Sequence, residues 1–248
     1  FLSRFSSQTS LQIANRLLAE EGVRAYNPFL DVLDDATILH TNNSLSQSFY
    51  FNRSNARWGI DYNLLHNAGK QLLMYGVEGS LHQQHLYKLR WNITRTLTVN
   101  MAARHGDRAY SSALDDNRTY KVYNVSGEPS LTWLYRSVLR VTGSVKYEER
   151  NNAAMYGGEE AGISSVHLDM RYSKATLGVI QLRGTYSGIN FDGQLTDPVA
   201  FVMLDGLQQG SNYLWYMNWE RRLGKGIEIS LEYEGRKPGA GTIIHTGR

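Results

Sequence analysis

Apolar and polar residues alternate along most of this chain, and an aromatic residue of the apolar set stands close to each short turn. A period of two is that of a β-strand with one apolar face. The residues on either side of the predicted turn at 53–56 illustrate the pattern: Leu45, Phe49 and Phe51 before it, then Trp58, Ile60, Tyr62 and Leu64. The sequence therefore predicts an all-β protein built from antiparallel hairpins.

Short turns and long loops also alternate, as they do between the two ends of an outer-membrane β-barrel. The rings beside the short turns are Phe51, Trp58, Trp91, Tyr135, Tyr172 and Trp219. Rings at one level around a closed sheet form the aromatic belt of a lipid–water interface. We expect a transmembrane barrel with this belt at its periplasmic end and the long loops outside. A soluble β-sandwich or barrel, with the same rings in its core, is the alternative.

The composition narrows the class further. The 248 residues suit a single domain over positions 1–248, and no run of about 18 apolar residues exists that could form a membrane-spanning helix. The absence of cysteine excludes disulfides and cysteine–zinc sites. A net charge of +3 without a basic run argues against a nucleic-acid partner.

The first half of the chain gives four predicted features. Residues 5–17 alternate Phe, Ser, Thr, Leu and Ile against Ser and Gln, which predicts a strand; a helix from Leu11 is the alternative. A long connection is predicted at 19–42 and a turn at 67–70. Residues 72–93 form either one long strand or two strands with a turn near His82.

Farther along the chain, polar loops are predicted at 106–118, 149–162 and 191–211. In the strand that follows Leu177, the apolar parity changes, which predicts a β-bulge. Together the hairpins amount to an antiparallel transmembrane β-barrel of about 12 strands, with 14 as the alternative.

The polar set of the strands carries charges of both signs. Its members are Asp61, Lys88, Arg90, Asn92, Arg140, Lys146, Asp169, Arg171, Glu228 and Glu232. In a barrel these side chains point inward, where they line water or pair across a narrow lumen. A water-filled pore and a lumen closed by salt bridges are both consistent with the sequence.

No residue set identifies a catalytic or metal site. His82 and His85 are three apart, but in a strand they face opposite sides. The acidic pairs at 34–35, 115–116 and 159–160 lack the dense oxygen spacing of a calcium loop. Gly-x-Ser-x-Gly and phosphate-loop motifs are missing from the sequence. We therefore expect no enzymatic activity, metal or cofactor; a barrel hydrolase whose residues are gathered by folding is a lesser alternative.

The apolar run at 199–204, inside the longest late loop, is the best candidate for a contact surface. An apolar run in a loop needs to be covered by something. Phe201, Met203 and Leu204 either contact another subunit or fold back over the mouth of the chain's own barrel.

Five short stretches together resemble one group of proteins. They read SRFSSQTSL (3–11), YFNRS (50–54), MLDGL (203–207), NYLW (212–215) and YEGRKPG (233–239). The chain is similar, over nearly its whole length, to the C-terminal region of large outer-membrane (cell-surface) proteins of Bacteroidota.

That resemblance implies location and architecture rather than chemistry. It places the chain in the bacterial outer membrane as the barrel of a longer polypeptide, with a last strand that starts near Thr242. The expected role is a non-enzymatic scaffold or subunit of an outer-membrane complex, with membrane lipid and other outer-membrane or periplasmic subunits as partners. A pore or transport barrel is the first alternative, and a barrel hydrolase or a soluble β-sheet binding module is less favoured.

Overall fold

The computed structural model describes residues 4–17, 38–115, 118–224 and 226–247. They form one antiparallel sheet of 12 strands, in which each strand pairs with its neighbours in sequence. The strands are β1 Phe5–Leu17, β2 Ile38–Phe51, β3 Trp58–Leu73, β4 Gly76–Asn92, β5 Leu97–Ser111, β6 Tyr120–Tyr135, β7 Leu139–Asn152, β8 Glu160–Lys174, β9 Gly178–Asp192, β10 Gly210–Gly224, β11 Ile227–Lys237 and β12 Ile244–Gly247. The predicted all-β class and the count of about 12 antiparallel strands are confirmed.

Within the described residues no ladder joins β1 to β12, so the sheet is open. Closure into a barrel stays a prediction. The described part of the chain has one α-helix, α1, at Pro198–Met203, and a 3-10 turn at Ala154–Tyr156. The described residues include no helix with the length and apolarity to cross a membrane.

The connections divide between two ends of the sheet. At the short-turn end, strands are joined through 52–57, 93–96, 136–138, 175–177 and the turn at Gly226. At the long-loop end lie 74–75, 112–115 with 118–119, 153–159, 193–209 and 238–243. The alternation of turns and loops is as predicted, with one exception: Met74 and Tyr75 make a tight turn at the long-loop end.

Several predicted boundaries are wrong. Residues 67–70 lie inside β3, where Gly69 pairs with Ser80 of β4, so the turn comes later, at Met74. Of the two alternatives for residues 72–93, the one without a turn near His82 is found, as the single strand β4, which begins at Gly76. The Asn-Ala-Gly-Lys sequence is typical of a turn, but pairing with both neighbouring strands outweighs local preference here.

The loops are shorter than predicted, because polar residues at the strand ends still pair. β5 continues to Ser111, β7 continues to Asn152, and β2 begins at Ile38. The rest of the predicted connection, including the acidic pair at 34–35, lies outside the described residues. The predicted bulge after Leu177 is also wrong: Leu177 belongs to a turn, and β9 keeps a continuous register with both neighbours.

The strands are staggered in one direction across the sheet. Directly paired residues from β3 to β12 form the row Trp58, Trp91, Val99, Leu131, Gly143, Leu168, Gly184, Trp215, Gly235 and His245. Trp58 begins β3 at the short-turn end, whereas Gly235 lies eight residues beyond the start of β11 at Ile227. The row therefore moves by about one residue per strand toward the long-loop end.

Candidate functional site: two faces and a covering loop

The face that contains this row, hereafter the apolar face, carries most of the large apolar side chains and is exposed. On β8, Val166 and Leu168 are 49% and 54% exposed. Ser165, which precedes Val166 and faces the other side, is 5% exposed, and its partner Ser187 on β9 is 3% exposed. On this part of β8 and β9 the usual relation between polarity and burial is therefore reversed, since a soluble sheet buries its apolar face.

The six predicted belt residues all lie on the apolar face, close to the short-turn end. Phe51 ends β2, Trp58 begins β3, and their rings are 5.7 Å apart. Trp58 is paired with Trp91. Trp219 reaches back to the turn at 175–177, where its indole N–H donates to the Leu177 carbonyl over 2.9 Å. Tyr135 ends β6, and Tyr172 lies just before the end of β8.

A second group of rings, missed by the sequence reasoning, lies on the same face toward the long-loop end. The rings of Tyr186 and Tyr213 are 5.1 Å apart. The hydroxyl of Tyr147 donates to a Glu149 carboxylate oxygen over 3.0 Å, and that of Tyr186 is 3.3 Å from Ser211 Oγ. The hydroxyls of Tyr147 and Tyr186 thus meet polar groups that lie nearer the loops. The signal was present, because each tyrosine continues the apolar parity of its strand.

The opposite face, hereafter the polar face, holds the charged residues that the sequence placed there. Residues of opposite charge are directly paired on neighbouring strands. The pairs are Asp61 with Lys88, Asp169 with Arg183, and Arg222 with Glu228. Asp169 and Arg183 form an ion pair of 2.9 Å, in which both side chains are well exposed. Some members of this face are buried, including Ser126, Thr132 and Glu148.

Residues 193–209, hereafter the covering loop, fold onto the polar face at its long-loop end. Val199, Ala200, Met203 and Leu204 are all buried. They pack against apolar side chains of three strands: Val122 of β6, Ala161 and Ile163 of β8, and Ile189 and Phe191 of β9. This cluster is the apolar core of the described residues.

An ion-pair network centred on the buried Arg150 and Glu148 attaches the covering loop to β7. The Arg150 guanidinium donates to the carbonyl of Met203 over 2.8 Å and to the Asp205 carboxylate over 2.5 Å. Glu148 holds Arg150 from the other side at 2.9 Å and also pairs with Lys146 at 2.5 Å. Asp205 has a φ of 51°, a left-handed conformation that reverses the chain after α1. Sequence reasoning missed this contact, which spans 55 positions.

The predicted contact residues divide between two environments. Met203 is fully buried and Leu204 is 3% exposed, both against the chain's own sheet. Phe201 is 73% exposed on the outer side of α1. Folding back is therefore the arrangement found for Met203 and Leu204, and Phe201 alone stays open to a partner.

The histidines do not form a ligand set with the acidic residues. His85 faces the apolar side, where its ring stacks on His105 at 4.5 Å and contacts the Tyr62 hydroxyl at 2.8 Å. His82 lies on the polar side, beside Arg108 and Arg150. Glu159 accepts from the Asn152 amide over 2.7 Å. Across the described ranges no three His, Cys, Asp or Glu residues are grouped so as to hold a metal.

Comparison with protein-family models, with curated proteins and with solved structures found no match to this chain.

Proposed function

We propose that this chain is an integral β-barrel of the bacterial outer membrane that acts as a non-enzymatic scaffold or complex subunit. The reversed exposure of the two faces carries the proposal. An aliphatic side chain left in water forgoes about 1.5–3 kcal/mol of burial energy, and many such side chains are exposed on the apolar face. Lipid acyl chains would cover all of them at once.

The stagger of the strands supports closure. At about 3.3 Å per residue and about 4.8 Å between strands, a shift of one residue per strand corresponds to a tilt of about 35° if the short turns lie at one level. Closed barrels need a tilt of about 35–45°. If the sheet curled with its polar face inside, this stagger would allow β1 and β12 to pair.

The spacing of the two ring groups fits a bilayer. On β7, Leu139 is the partner of Tyr172, and Tyr147 follows eight residues later. Those residues span about 26 Å of strand, or about 22 Å along the barrel axis at the tilt above. Outer-membrane barrels carry an apolar band about 25 Å tall between two aromatic girdles. The tyrosine hydroxyls would then meet the outer interface, as amphipathic rings do.

The covering loop favours a scaffold over an open pore. It occupies the polar face of β6, β8 and β9 at the long-loop end, and Arg150 fixes it in place. A pore or transport barrel remains the second candidate, since charged cavities of about 560 Å³ and 510 Å³ lie elsewhere on the polar face.

Fractionation and bilayer recording test the proposal together. We expect the chain to require detergent, to migrate faster on a denaturing gel before boiling than after, and to insert into planar bilayers without conductance. Stable conductance would favour the pore candidate. A folded protein that is soluble without detergent would contradict the membrane assignment.

A further inference from the structure

A basic cavity lies on the polar face at the short-turn end, away from the covering loop. It is formed by β3, β4, β5 and β6 together with the turn at 52–57, and its volume is about 560 Å³. Its charged lining consists of Arg53, Lys88, Arg90, Arg104, Asp61 and Glu128. Four cations thus share the cavity with two carboxylates.

Two of the cations are held by groups that leave their charge uncompensated. Arg90 donates to the carbonyls of Arg53 and Asn55 over 3.1 Å and 2.9 Å. Gly59 makes room for it, since a Cβ there would lie 3.3 Å from the Arg90 guanidinium. The Arg53 guanidinium stacks 4.3 Å above the Tyr50 ring. Carbonyl groups and a ring face orient a guanidinium without neutralising it.

The carboxylates balance only part of this charge. Glu128 pairs with Arg104 at 3.5 Å and accepts from the Ser144 hydroxyl over 3.2 Å. Asp61 is the register partner of Lys88. Among the described side chains these two form no ion pair, so the Lys88 ammonium is available to a ligand. The lining keeps an excess of two positive charges around one half-open cavity, in which Arg90 and Arg104 are half-buried and Arg53 and Lys88 are exposed. Such a concentration of one sign of charge attracts anions.

We infer that the basic cavity is a binding site for a compact dianion, such as a phosphate or a small dicarboxylate. Lys88 would contribute a mobile ammonium, and Arg53 and Arg90 would contribute fixed guanidinium groups that match paired oxygens. The inference goes beyond the proposed function, because it depends on the polar face alone and holds whether or not the sheet conducts.

Calorimetric titration of the folded, detergent-solubilised chain tests the site, with inorganic phosphate and succinate as separate probes. We expect Lys88→Gln to weaken binding by about tenfold, because one charge-assisted hydrogen bond is lost. Glu128→Gln should strengthen binding severalfold, since it removes a competing carboxylate. This gain cannot come from damage to the fold. Binding of only one probe would assign the source as phosphate or carboxylate.

Arg171→Gln is the matched control, because Arg171 is a cation of the same face outside the cavity lining. It should leave both affinities unchanged. Equal losses in Lys88→Gln and Arg171→Gln would reduce the effect to general charge and overturn the site. Absence of binding in a chain that still shows heat-modifiable migration would reject the site while leaving the membrane proposal intact.

Discussion

The polar face is different at its two ends, and the difference follows what lies over it. At the long-loop end, where the covering loop packs, it presents Ile163, Ile189 and Phe191. Farther toward the short turns, on the same two strands, it presents Asp169 and Arg183. Apolar side chains occur on this face where something apolar covers them. By the same rule, the exposed apolar face needs a cover, and lipid is the one we propose.

Disrupting the contact between the covering loop and the buried apolar cluster should have the largest effect on stability. Leu204→Asp places a carboxylate among buried apolar side chains, and we expect docking of the loop to weaken by about 4 kcal/mol. Limited proteolysis within residues 193–209 measures the opening. Phe201→Asp, on the exposed side of α1, should leave the cleavage rate unchanged. Equal protection in both variants would contradict the role assigned to the cluster.

A charge on the apolar face should be the next most costly change. Leu168→Arg would place a guanidinium in the proposed lipid band. In vesicles it should reduce the free energy of unfolding by about 2–3 kcal/mol. His167→Arg, one residue away on the polar face, loses a contact with Thr185 and should cost less than about 1 kcal/mol. Urea titration of folding in vesicles compares them. In a water-exposed sheet, Leu168→Arg would be nearly neutral.

Two arginine ion pairs allow the covered and the uncovered end of the polar face to be compared. Arg150→Ala leaves the Met203 carbonyl without its donor and should cost about 2 kcal/mol, because Lys146 still compensates Glu148. Arg183→Ala breaks an exposed pair with Asp169 and should cost no more than about 1 kcal/mol. Denaturant unfolding in micelles measures both. Similar costs would mean that the covering loop does not shield Arg150 from solvent.

The smallest change in stability should come from substitutions at Ser165 and Ser187, between the covered and uncovered ends of the polar face. Their buried hydroxyls lie 2.8 Å apart. Ser187→Ala leaves the buried Ser165 hydroxyl without its partner and should reduce the free energy of unfolding by about 1 kcal/mol. Replacing both serines by alanine removes the unsatisfied group and should cost less than the single change. A double variant that loses twice as much as the single one would indicate that each hydroxyl has another partner.

Periodic features of the fold were predictable and individual loop contacts were not. Register follows the alternation of side chains, so β1 was placed at Phe5–Leu17 with both ends correct. Local preference predicts a turn at 67–70. The Asn-Ala-Gly-Lys stretch instead pairs with both β2 and β4, and this pairing outweighs the preference.

The covering loop shows the same limit at the site. Its apolar run predicts that some other surface covers it. The partners Ile163 and Phe191, however, are apolar residues at positions where the alternation of their strands places polar ones. The pairing of Arg150 with Asp205 links segments whose proximity no local pattern encodes. The basic cavity could be predicted only as a set of inward charges, since its lining comes from four strands and a turn.

Site-specific labelling tests the reversed polarity most directly, because the chain contains no cysteine of its own. Val166→Cys and His167→Cys place a fluorophore on adjacent residues of β8 that face opposite sides. In vesicles, we predict that the label at 166 is quenched by brominated lipid chains and that the label at 167 is not. Equal quenching of both labels by iodide in water, with no effect of brominated lipid at 166, would contradict a lipid-facing apolar surface.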